Sequence, residues 1–453
     1  MRVMLRRLLI LAVLGAIAPV AALAQITLPL PAPQLPLPLP SPGQVLRDVD
    51  RAVQRPVLSS LRTRARELLR RYPGQVERDP RGAPVVRAVI LALSPGAQAL
   101  QQAQARGFQI QSDQVLQPLG ERMVTLIVPA GLSTQRALQQ LRAADPGGSY
   151  DFDHLFVQSQ LTPAQPPALP PPVQAARAAT HAQGADVMSA MPDVVRIRVG
   201  LVDGGVDAEH PAFAAQRPRL SGCNGRPVPS AHGTAVASLF VGRAAQFHGA
   251  APGAELVAID VYCGSDVPGG RVRDIVLALG ELMGAGVRVI NMSVVGPDNA
   301  VLAAVVRKVI ARSIIVVAAA GNDGPGAAPL YPAAYPGVVA VTAVDAREKV
   351  LVEAGSGAHV RFAAPGADMV AAVPGAMYTI VRGTSYASPL VAGLLARLLA
   401  QDGSVTVDEV VQQLAAAAVD RGKAGRDRRY GYGLVGMELR TDAAHFTGRL
   451  ASQ

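Results

Sequence analysis

The sequence predicts an α/β fold, in which a doubly wound, mostly parallel sheet follows a small α+β unit of the ferredoxin-like type. From about Val195 onwards, short apolar segments rich in valine, isoleucine and alanine alternate with apolar-periodic segments of helix length. Ahead of that region, residues 84–158 follow the order strand, helix, strand, strand, helix, strand. A chain of 453 residues is long enough for two such domains.

Residues 1–24 are predicted to be a signal peptide. A basic head, Met1–Arg7, precedes the apolar run Leu8–Val20, which is too short to span a bilayer, and Ala22-Leu23-Ala24 has the small-x-small form of a cleavage site. The two arginines at positions 6 and 7 also allow a twin-arginine signal, although their neighbours fit that motif poorly. We therefore expect an exported chain, secreted or periplasmic, with no membrane span in its mature part.

Residues 25–83 are interpreted as a proline-rich spacer followed by an amphipathic helical segment. Between positions 27 and 43 proline fixes φ and removes backbone donors, which predicts an extended chain. A plain linker is the favoured interpretation, and docking on a partner stays open. Apolar residues at helical spacing between Gln44 and Arg71 predict one or two helices with arginine on the other face.

The α+β unit covers residues 84–158 and is followed by a Pro/Ala-rich linker at 159–192. Its predicted strands are 85–93, 108–116, 122–128 and 150–157, and its predicted helices are 97–106 and 134–143. The next domain spans 193–440, with a tail at 441–453. Its predicted strands are 196–202, 255–262, 287–293, 313–320 and 338–344, and its helices begin near 232, 271, 299, 385 and 406. Thr406 and Glu409 form a capping-box pattern for the last helix.

Four polar residues of this domain stand at strand ends or helix starts, where α/β sheets build their sites. Asp203 and Asn322 each follow a buried strand, and His232 opens an apolar helical run. Ser385 falls in the first turn of another helix, whose free N–H groups favour negative charge. A lone serine before an apolar run is usually only a helix cap. The three companions indicate a nucleophile instead.

The segments around these residues resemble the subtilisin-like serine peptidases, the subtilase family, over about residues 195–435. The motifs that carry the resemblance are Asp203-Gly204-Gly205, His232-Gly233-Thr234, Ala320-Gly321-Asn322 and Gly383-Thr384-Ser385, in the family's Asp, His, Ser order. Further support comes from Tyr331-Pro332-Ala333-Ala334-Tyr335-Pro336, Ala364-Pro365-Gly366 and Tyr430-Gly431-Tyr432-Gly433.

The resemblance implies a serine endopeptidase acting on polypeptide substrates. Ser385 would be the nucleophile, His232 the general base and acid, and Asp203 the residue that orients the imidazole. The Asn322 amide and the Ser385 N–H would hold the oxyanion. Asp207 is a less favoured candidate for the acid.

The resemblance also implies that residues 84–158 are an inhibitory propeptide, which assists folding and blocks the cleft until it is cut away. Maturation cleavage is expected between Gln158 and Asp193. An unrelated accessory domain is the alternative interpretation of this unit.

Substrate preference is less readable. By resemblance, the S1 pocket has an apolar lining without a fixed charge, which favours apolar or medium side chains, although Asp323 could draw basic ones instead. The residues that would wall it are Ser293, Val294, Val295, Gly296, Ala319, Ala320 and Gly321.

Three positions depart from the family's pattern without removing catalytic atoms. Gly204 stands where Thr or Ser is usual, Tyr386 where Met is common, and Leu390 where His is common. The segment 242–251 lacks the Asp, Glu and Asn ligands of the family's best-known calcium loop, so we expect no calcium there, while calcium binding elsewhere stays open and neither a metal ligand nor a cofactor is assigned.

Cysteine usage and charge complete the picture. In an exported chain, the only two cysteines, Cys223 and Cys263, are expected to form a disulfide. The formal net charge is +10, but aromatic residues are only 4% and tryptophan is absent, so stacking platforms are scarce and a nucleic-acid partner is not expected. Two rival functions remain: a catalytically silent secreted binding protein, and an enzyme that processes only itself or one partner.

Overall fold

The structure is a computed structural model, and it describes residues 61–158, 197–263, 269–402 and 404–451. The predicted signal peptide, the proline-rich spacer and the Pro/Ala-rich linker lie outside the described residues, as does the first part of the predicted helical segment. Residues 61–158 are called the N-terminal unit below, and residues 197–451 the C-terminal region.

The N-terminal unit is built as the sequence predicts. Its elements are α1 (Leu61–Arg71), β1 (Val76–Arg78), β2 (Pro84–Leu93), α2 (Ala97–Ala105), β3 (Gln109–Leu116), β4 (Glu121–Ile127), α3 (Thr134–Ala144) and β5 (Ser149–Gln158). The strands are antiparallel in the order β5-β2-β4-β3, and β1 also pairs with β2. This is the ferredoxin-like arrangement, so the predicted order of strands and helices is confirmed.

The first half of the C-terminal region contains the strand that ends at Asp203 and the helix that carries His232. Its elements are β6 (Arg198–Asp203), β7 (Arg219–Gly222), α4 (Ala231–Val241), β8 (Arg243–Ala244), β9 (Phe247–His248), β10 (Glu255–Asp260), β11 (Gly270–Arg271), α5 (Val272–Gly284), β12 (Val289–Met292) and β13 (Val294–Val295). The second half comprises α6 (Ala300–Ile310), β14 (Ile315–Ala319), β15 (Val339–Val344), β16 (Val360–Pro365), β17 (Ala367–Val373), β18 (Met377–Arg382), α7 (Thr384–Gln401) and α8 (Val407–Ala417).

A seven-stranded parallel sheet forms the centre of this region, in the order β16-β15-β14-β12-β6-β10-β7. Successive strand residues point to opposite faces of the sheet, and helices cover both faces. In β14, Val317 joins the apolar core that contains α4 and α7, whereas Val316 joins the core that contains α5 and α6. The predicted doubly wound fold is therefore confirmed. Among the described residues, no helix has the length and apolar content that crossing a membrane would require.

The last strand of the N-terminal unit, β5, pairs with the C-terminal region. It lies antiparallel to both β11 and β13, with Phe156 opposite Gly270 and Gln158 opposite Val294. The face of the same unit packs on α5 and α6, where Leu91 and Met123 join the apolar core. The N-terminal unit thus adds a strand between two short edges of its neighbour.

Strands β7 and β16 and the hairpin formed by β17 and β18 were not predicted from the sequence. β17 is rich in alanine, and β18 mixes polar and apolar residues without strict alternation. Neither pattern carries a strong strand signal. Tertiary pairing decides these segments.

Candidate active site

Asp203 and His232 meet at the carboxyl edge of the sheet. Asp203 is the last residue of β6, and His232 is the second residue of α4. The His232 Nδ1 atom lies 2.7 Å from Asp203 Oδ1, and both side chains are buried. A neutral imidazole bound in this way donates Nδ1–H to the carboxylate and leaves Nε2 as its basic atom.

Glycine 233 explains how the helix comes so close to the strand end. A Cβ on Gly233 would lie 2.2 Å from the carbonyl oxygen of Gly204 and 2.6 Å from that of Gly205. Only a residue without a side chain allows this backbone contact. The Ser230 hydroxyl caps the helix by accepting the Gly233 N–H at 2.9 Å. The His-Gly-Thr triplet therefore has a packing reason as well as a chemical one.

Ser385 is the second residue of α7, and Asn322 contacts the start of that helix. The helix begins after Gly383, which has a φ of 142° and offers no side-chain cap. Asn322 Oδ1 accepts the Thr384 N–H at 3.1 Å, and the Thr384 hydroxyl accepts the Gly321 N–H at 3.2 Å. Because the amide oxygen is held by the helix, the Nδ2 donor lies on the other side of the carboxamide.

The backbone carbonyl of Ser385 is bound by side chains instead of by its own helix. Pro389, four residues on, has no N–H to give to that carbonyl. Ser293 Oγ donates to the Ser385 oxygen at 3.0 Å, and Ser388 Oγ approaches it at 3.4 Å. Asn291 Nδ2 in turn donates to Ser293 Oγ at 3.0 Å. The segment after β12 is thereby fixed against the proposed nucleophile.

His232 and the first turn of α7 are neighbours, although no serine–histidine hydrogen bond is formed. The ring of Tyr386 lies 5.4 Å from the His232 ring, centroid to centroid. His232 Nε2 is buried and makes no hydrogen bond, so Ser385 Oγ does not contact it in bonding geometry. Catalytic hydrogen bonds are often formed only once substrate is bound. Burial raises the pKa of the Tyr386 hydroxyl, with the Asp203 charge acting in the same direction.

The residues predicted to wall the S1 pocket lie on two adjoining segments. Val294 and Val295 form β13 and are buried, as are Ser293 and Gly296. Ala319, Ala320 and Gly321 are also buried and end at Asn322. Ala320 and Asp323 line a recess that Leu330 and His359 also border, and burial lowers the pKa of the His359 imidazole.

The predicted disulfide between Cys223 and Cys263 is present. It lies beside Asp260, whose carboxylate accepts the N–H groups of Val228, Tyr262 and Cys263. Asp260 thus ties the loop before His232 to the end of β10, a role that no motif signalled. Within the described ranges, one group of three possible metal ligands occurs, namely Cys223, Asp260 and Cys263, and the disulfide removes its two thiolates.

A second contact missed from the sequence comes from α1. Arg64 Nη1 donates to the carbonyl oxygen of Gln158 at 2.7 Å, at the end of β5. Leu68, one turn further along α1, packs on Leu155 of the same strand. The arginine-rich face of this helix was visible in the sequence, but nothing there indicated which arginine would reach the cleft.

The chain is similar to known proteins in sequence and in fold. Residues 196–433 match the family model described as the subtilase family. Subtilisin DY from Bacillus licheniformis is 33% identical over 250 residues, which cover 53% of this chain and 89% of that protein. Minor extracellular protease Epr from Bacillus subtilis strain 168 is 29% identical over 255 residues, which cover 55% of this chain and 39% of that protein.

Among solved structures, fervidolysin from Fervidobacterium pennivorans is similar in fold. That protein is described as a keratinolytic enzyme related to subtilisin. The TM-score is 0.64 at 20% identity, over 78% of this chain and 61% of that chain. The chain therefore spans less than two thirds of both Epr and fervidolysin.

Proposed function

Because the chain belongs to the subtilase family of serine peptidases, we propose that it is an exported endopeptidase made as a self-inhibited precursor. The observation that carries the proposal is the 2.7 Å contact between His232 and Asp203 beside the helix that bears Ser385. Export is proposed from the signal-like residues 1–24, and the name of the relative Epr, an extracellular protease, agrees with it.

In the proposed mechanism, Ser385 Oγ attacks the peptide carbonyl carbon while its proton passes to His232 Nε2. Asp203 holds the imidazole tautomer and stabilises the imidazolium that forms. His232 then gives its proton to the leaving amine as the C–N bond breaks, which leaves an acyl-enzyme. A water molecule attacks the ester carbon while His232 takes its proton, and His232 then returns that proton to Ser385 Oγ as the bond between the acyl carbon and Oγ breaks and the carboxylic acid product leaves.

The oxyanion of each tetrahedral intermediate is proposed to bind Asn322 Nδ2 and the Ser385 N–H. Two contacts support this role. The Asn322 oxygen is already held by Thr384, which sets the orientation of the carboxamide. The Ser385 N–H belongs to the first turn of α7, where the partial positive charge of the helix start favours an anion.

The first experiment compares Ser385→Ala with Ser404→Ala, a serine near the start of α8 that bonds to the exposed Asp402. Ser385→Ala should lower kcat on a casein-type substrate by about 10⁶-fold, a figure borrowed from subtilisin, and should leave the circular dichroism spectrum unchanged. Ser404→Ala should hydrolyse casein like the parent. Unchanged turnover by folded Ser385→Ala would refute the assignment.

The two rival functions give different results in the same assays. A silent binding protein would fail to react with a fluorophosphonate probe after activation, whereas the proposed enzyme is labelled at Ser385. An enzyme that processes only itself would be labelled and would cut its own precursor, yet it would leave casein and peptide libraries intact.

Self-inhibition is proposed for the N-terminal unit because β5 pairs with two short strands in the way that an extended peptide would. Its residues 155–158 add an antiparallel strand between β11 and β13, the mode by which extended peptides join an exposed sheet edge. The Val294–Val295 edge follows Ser293, which contacts the Ser385 carbonyl. A strand in this position excludes another polypeptide from the same edges.

Polar groups of the N-terminal unit also bind two helix starts of the C-terminal region. Asp151 Oδ2 accepts the Ala300 N–H at the start of α6, at 2.7 Å, and Asp153 Oδ1 accepts the Arg273 N–H at the start of α5, at 3.1 Å. Carboxylates are favoured at these positions because helix starts carry unsatisfied donors and partial positive charge. His154 Nδ1 accepts from Asn299 Nδ2 at 2.9 Å in the same interface.

We further propose that the peptide bond cleaved in maturation lies among the first few residues after Gln158, inside the predicted interval that ends at Asp193. Gln158 lies opposite Val294, one residue from Ser293 and its contact to the Ser385 carbonyl. Amino-terminal sequencing of the processed protein tests this. A mature chain that begins close to Asp193 would contradict it.

For S1, the buried alanine and valine walls favour apolar or medium side chains, and Asp323 at the recess keeps a basic preference as the alternative. A peptide-library cleavage profile separates the two, because a basic preference would concentrate cleavage after Arg and Lys.

A further inference from the structure

Two glycines of the cleft lie beneath alternate residues of β5. A Cβ on Gly296 would lie 2.5 Å from Phe156 Cδ2, and a Cβ on Gly204 would lie 2.9 Å from Gln158 Nε2. Phe156 and Gln158 point to the same face, because side chains alternate along a strand, and Val157 between them points to the other face. Phe156 therefore occupies space that a side chain at Gly296 would fill, and Gln158 occupies space that a side chain at Gly204 would fill.

The backbone itself does not demand glycine at position 204. Gly204 is not among the glycines with a left-handed φ, so an L-residue could adopt its conformation. Its neighbour Gly205 is different, because a Cβ there would lie 2.2 Å from the Val228 carbonyl oxygen. Around Gly204 the nearest atoms belong to side chains only, those of Ser230 and Gln158. The nearest of these atoms, Ser230 Oγ at 2.5 Å, belongs to the cleft itself, and Gln158 Nε2 at 2.9 Å belongs to the strand that binds over it, so the missing side chain leaves room for both.

The negative charge next to Gly204 determines which kind of side chain can bind over this glycine. Gly204 follows Asp203 and donates its N–H to Asp203 Oδ1 at 2.6 Å, so a buried carboxylate lies next to the subsite. A second carboxylate placed there would be repelled, whereas an uncharged amide of the same length would not. The Ser230 hydroxyl adds a polar wall, 2.5 Å from the position of a Gly204 Cβ.

We propose that Gly204 is a specificity-determining residue, an inference that rests on the proposed function. It opens a subsite for a long side chain that ends in an uncharged amide, at the substrate position that Gln158 fills in the precursor. The preferred polypeptide substrates carry glutamine at this position, and the precursor satisfies the same preference with its own strand.

The test uses peptides with the sequence of residues 152–165 of this chain and the activated enzyme. Replacing the glutamine that corresponds to Gln158 by alanine or by glutamate should lower kcat/KM at least about tenfold, the usual scale for losing a fitted side chain in a pocket. The matched control replaces the valine that corresponds to Val157, whose side chain faces away, and should leave kcat/KM close to that of the parent peptide.

Equal cleavage of the parent, alanine and glutamate peptides would overturn the proposal while leaving the peptidase assignment intact. Absence of cleavage of every peptide and of casein would instead refute the proposed function. The two failures are therefore distinguishable.

An enzyme variant then links the preference to the glycine. Gly204→Thr, which installs a residue common in the family at this place, should reduce the ratio of kcat/KM for the glutamine and alanine peptides to near one. Because Ser230 also lies close, Gly204→Thr combined with Ser230→Gly is measured beside it, and the ratio, not the rate, is the readout. A ratio that stays at the parent value in both enzymes would show that Gly204 does not set the preference.

Discussion

In the C-terminal region, the segments that carry the proposed catalytic residues meet backbone to backbone, whereas the N-terminal unit contacts that region through side chains and one strand edge. Gly233 touches the Gly204 carbonyl in the first case. Asp151, Asp153 and His154 make the contacts in the second. Close backbone contacts fix geometry permanently, while carboxylates on helix starts can be released into water. The difference fits a site that must stay rigid and an inhibitor that must leave.

The comparison predicts that changes in the C-terminal region alter chemistry after activation, and that changes in the N-terminal unit alter only latency. The largest effect is expected for Asp203→Asn, because an amide would hold His232 in the wrong tautomer. A fall in kcat of about 10⁴-fold is expected with substrate binding retained. Active-site titration and steady-state kinetics of the activated enzyme measure it.

Asp207→Asn is the matched control, since Asp207 lies four residues on and binds the backbone N–H groups of Glu209 and Gly375. Near-parent kcat is expected for this variant. If Asp207→Asn lost activity and Asp203→Asn kept it, the identity of the acid would be wrong.

The next effect concerns Asn322→Ala, which removes the proposed oxyanion donor. A fall in kcat of about 10²- to 10³-fold with little change in KM is expected, the range known for this type of donor in subtilisin. Asn322→Asp sharpens the test, because its carboxylate can still accept the Thr384 N–H but offers no donor. Recovery of kcat in Asn322→Asp would mean that Asn322 acts only by holding the helix.

Latency should depend on pH through Asp153. Burial raises its pKa to about 7 in the docked unit and nearby Asp274 acts in the same direction, while the Arg273 N–H and the charges of Arg271 and Arg273 lower it. Between pH 3.8, the ordinary pKa of an aspartate, and about 7, the docked form therefore holds a proton that the released, solvated form does not hold. Docking should weaken as pH rises across that window and level off above it, by at least about tenfold in dissociation constant.

Size-exclusion chromatography of the processed but undissociated complex, from pH 4.5 to 8, measures the released fraction. Asp153→Asn should flatten this dependence, whereas Asp113→Asn, which removes a surface carboxylate paired with Arg122, should not. A wild-type dependence that survives in Asp153→Asn would assign it to another group.

The smallest effect is expected for Arg64→Ala. Loss of its hydrogen bond to Gln158 should shorten the lag before activity appears by about fivefold, since such a bond is worth about 1 kcal/mol at a partly exposed position. Progress curves of self-activation measure the lag, and Arg66→Ala, an exposed residue of the same helix, serves as control. A change in kcat of the fully activated Arg64→Ala enzyme would break the division between the two regions.

The sequence was informative wherever a residue pattern is read locally. The central strands and helices that were predicted in both regions, the positions of Asp203, His232 and Asn322 at element ends, and the capping box of Thr406 and Glu409 follow from nearby residues. The contacts of Arg64, Asp151 and Asp260 could not be predicted, because they depend on which surfaces meet after folding. Charged residues on a solvated face and at an interface look the same in one sequence.

Pro389 determines which group binds the backbone carbonyl of Ser385. Any residue with an amide hydrogen at 389 could compete with Ser293 for the Ser385 carbonyl, and the proline removes that competitor. The position of Ser385, the proposed nucleophile, along its helix axis is therefore set by Ser293 and the segment proposed to bind the substrate, not by its own helix. Displacement of that segment by a poorly fitting polypeptide would be transmitted to the hydroxyl, so recognition and reactivity share one hydrogen bond.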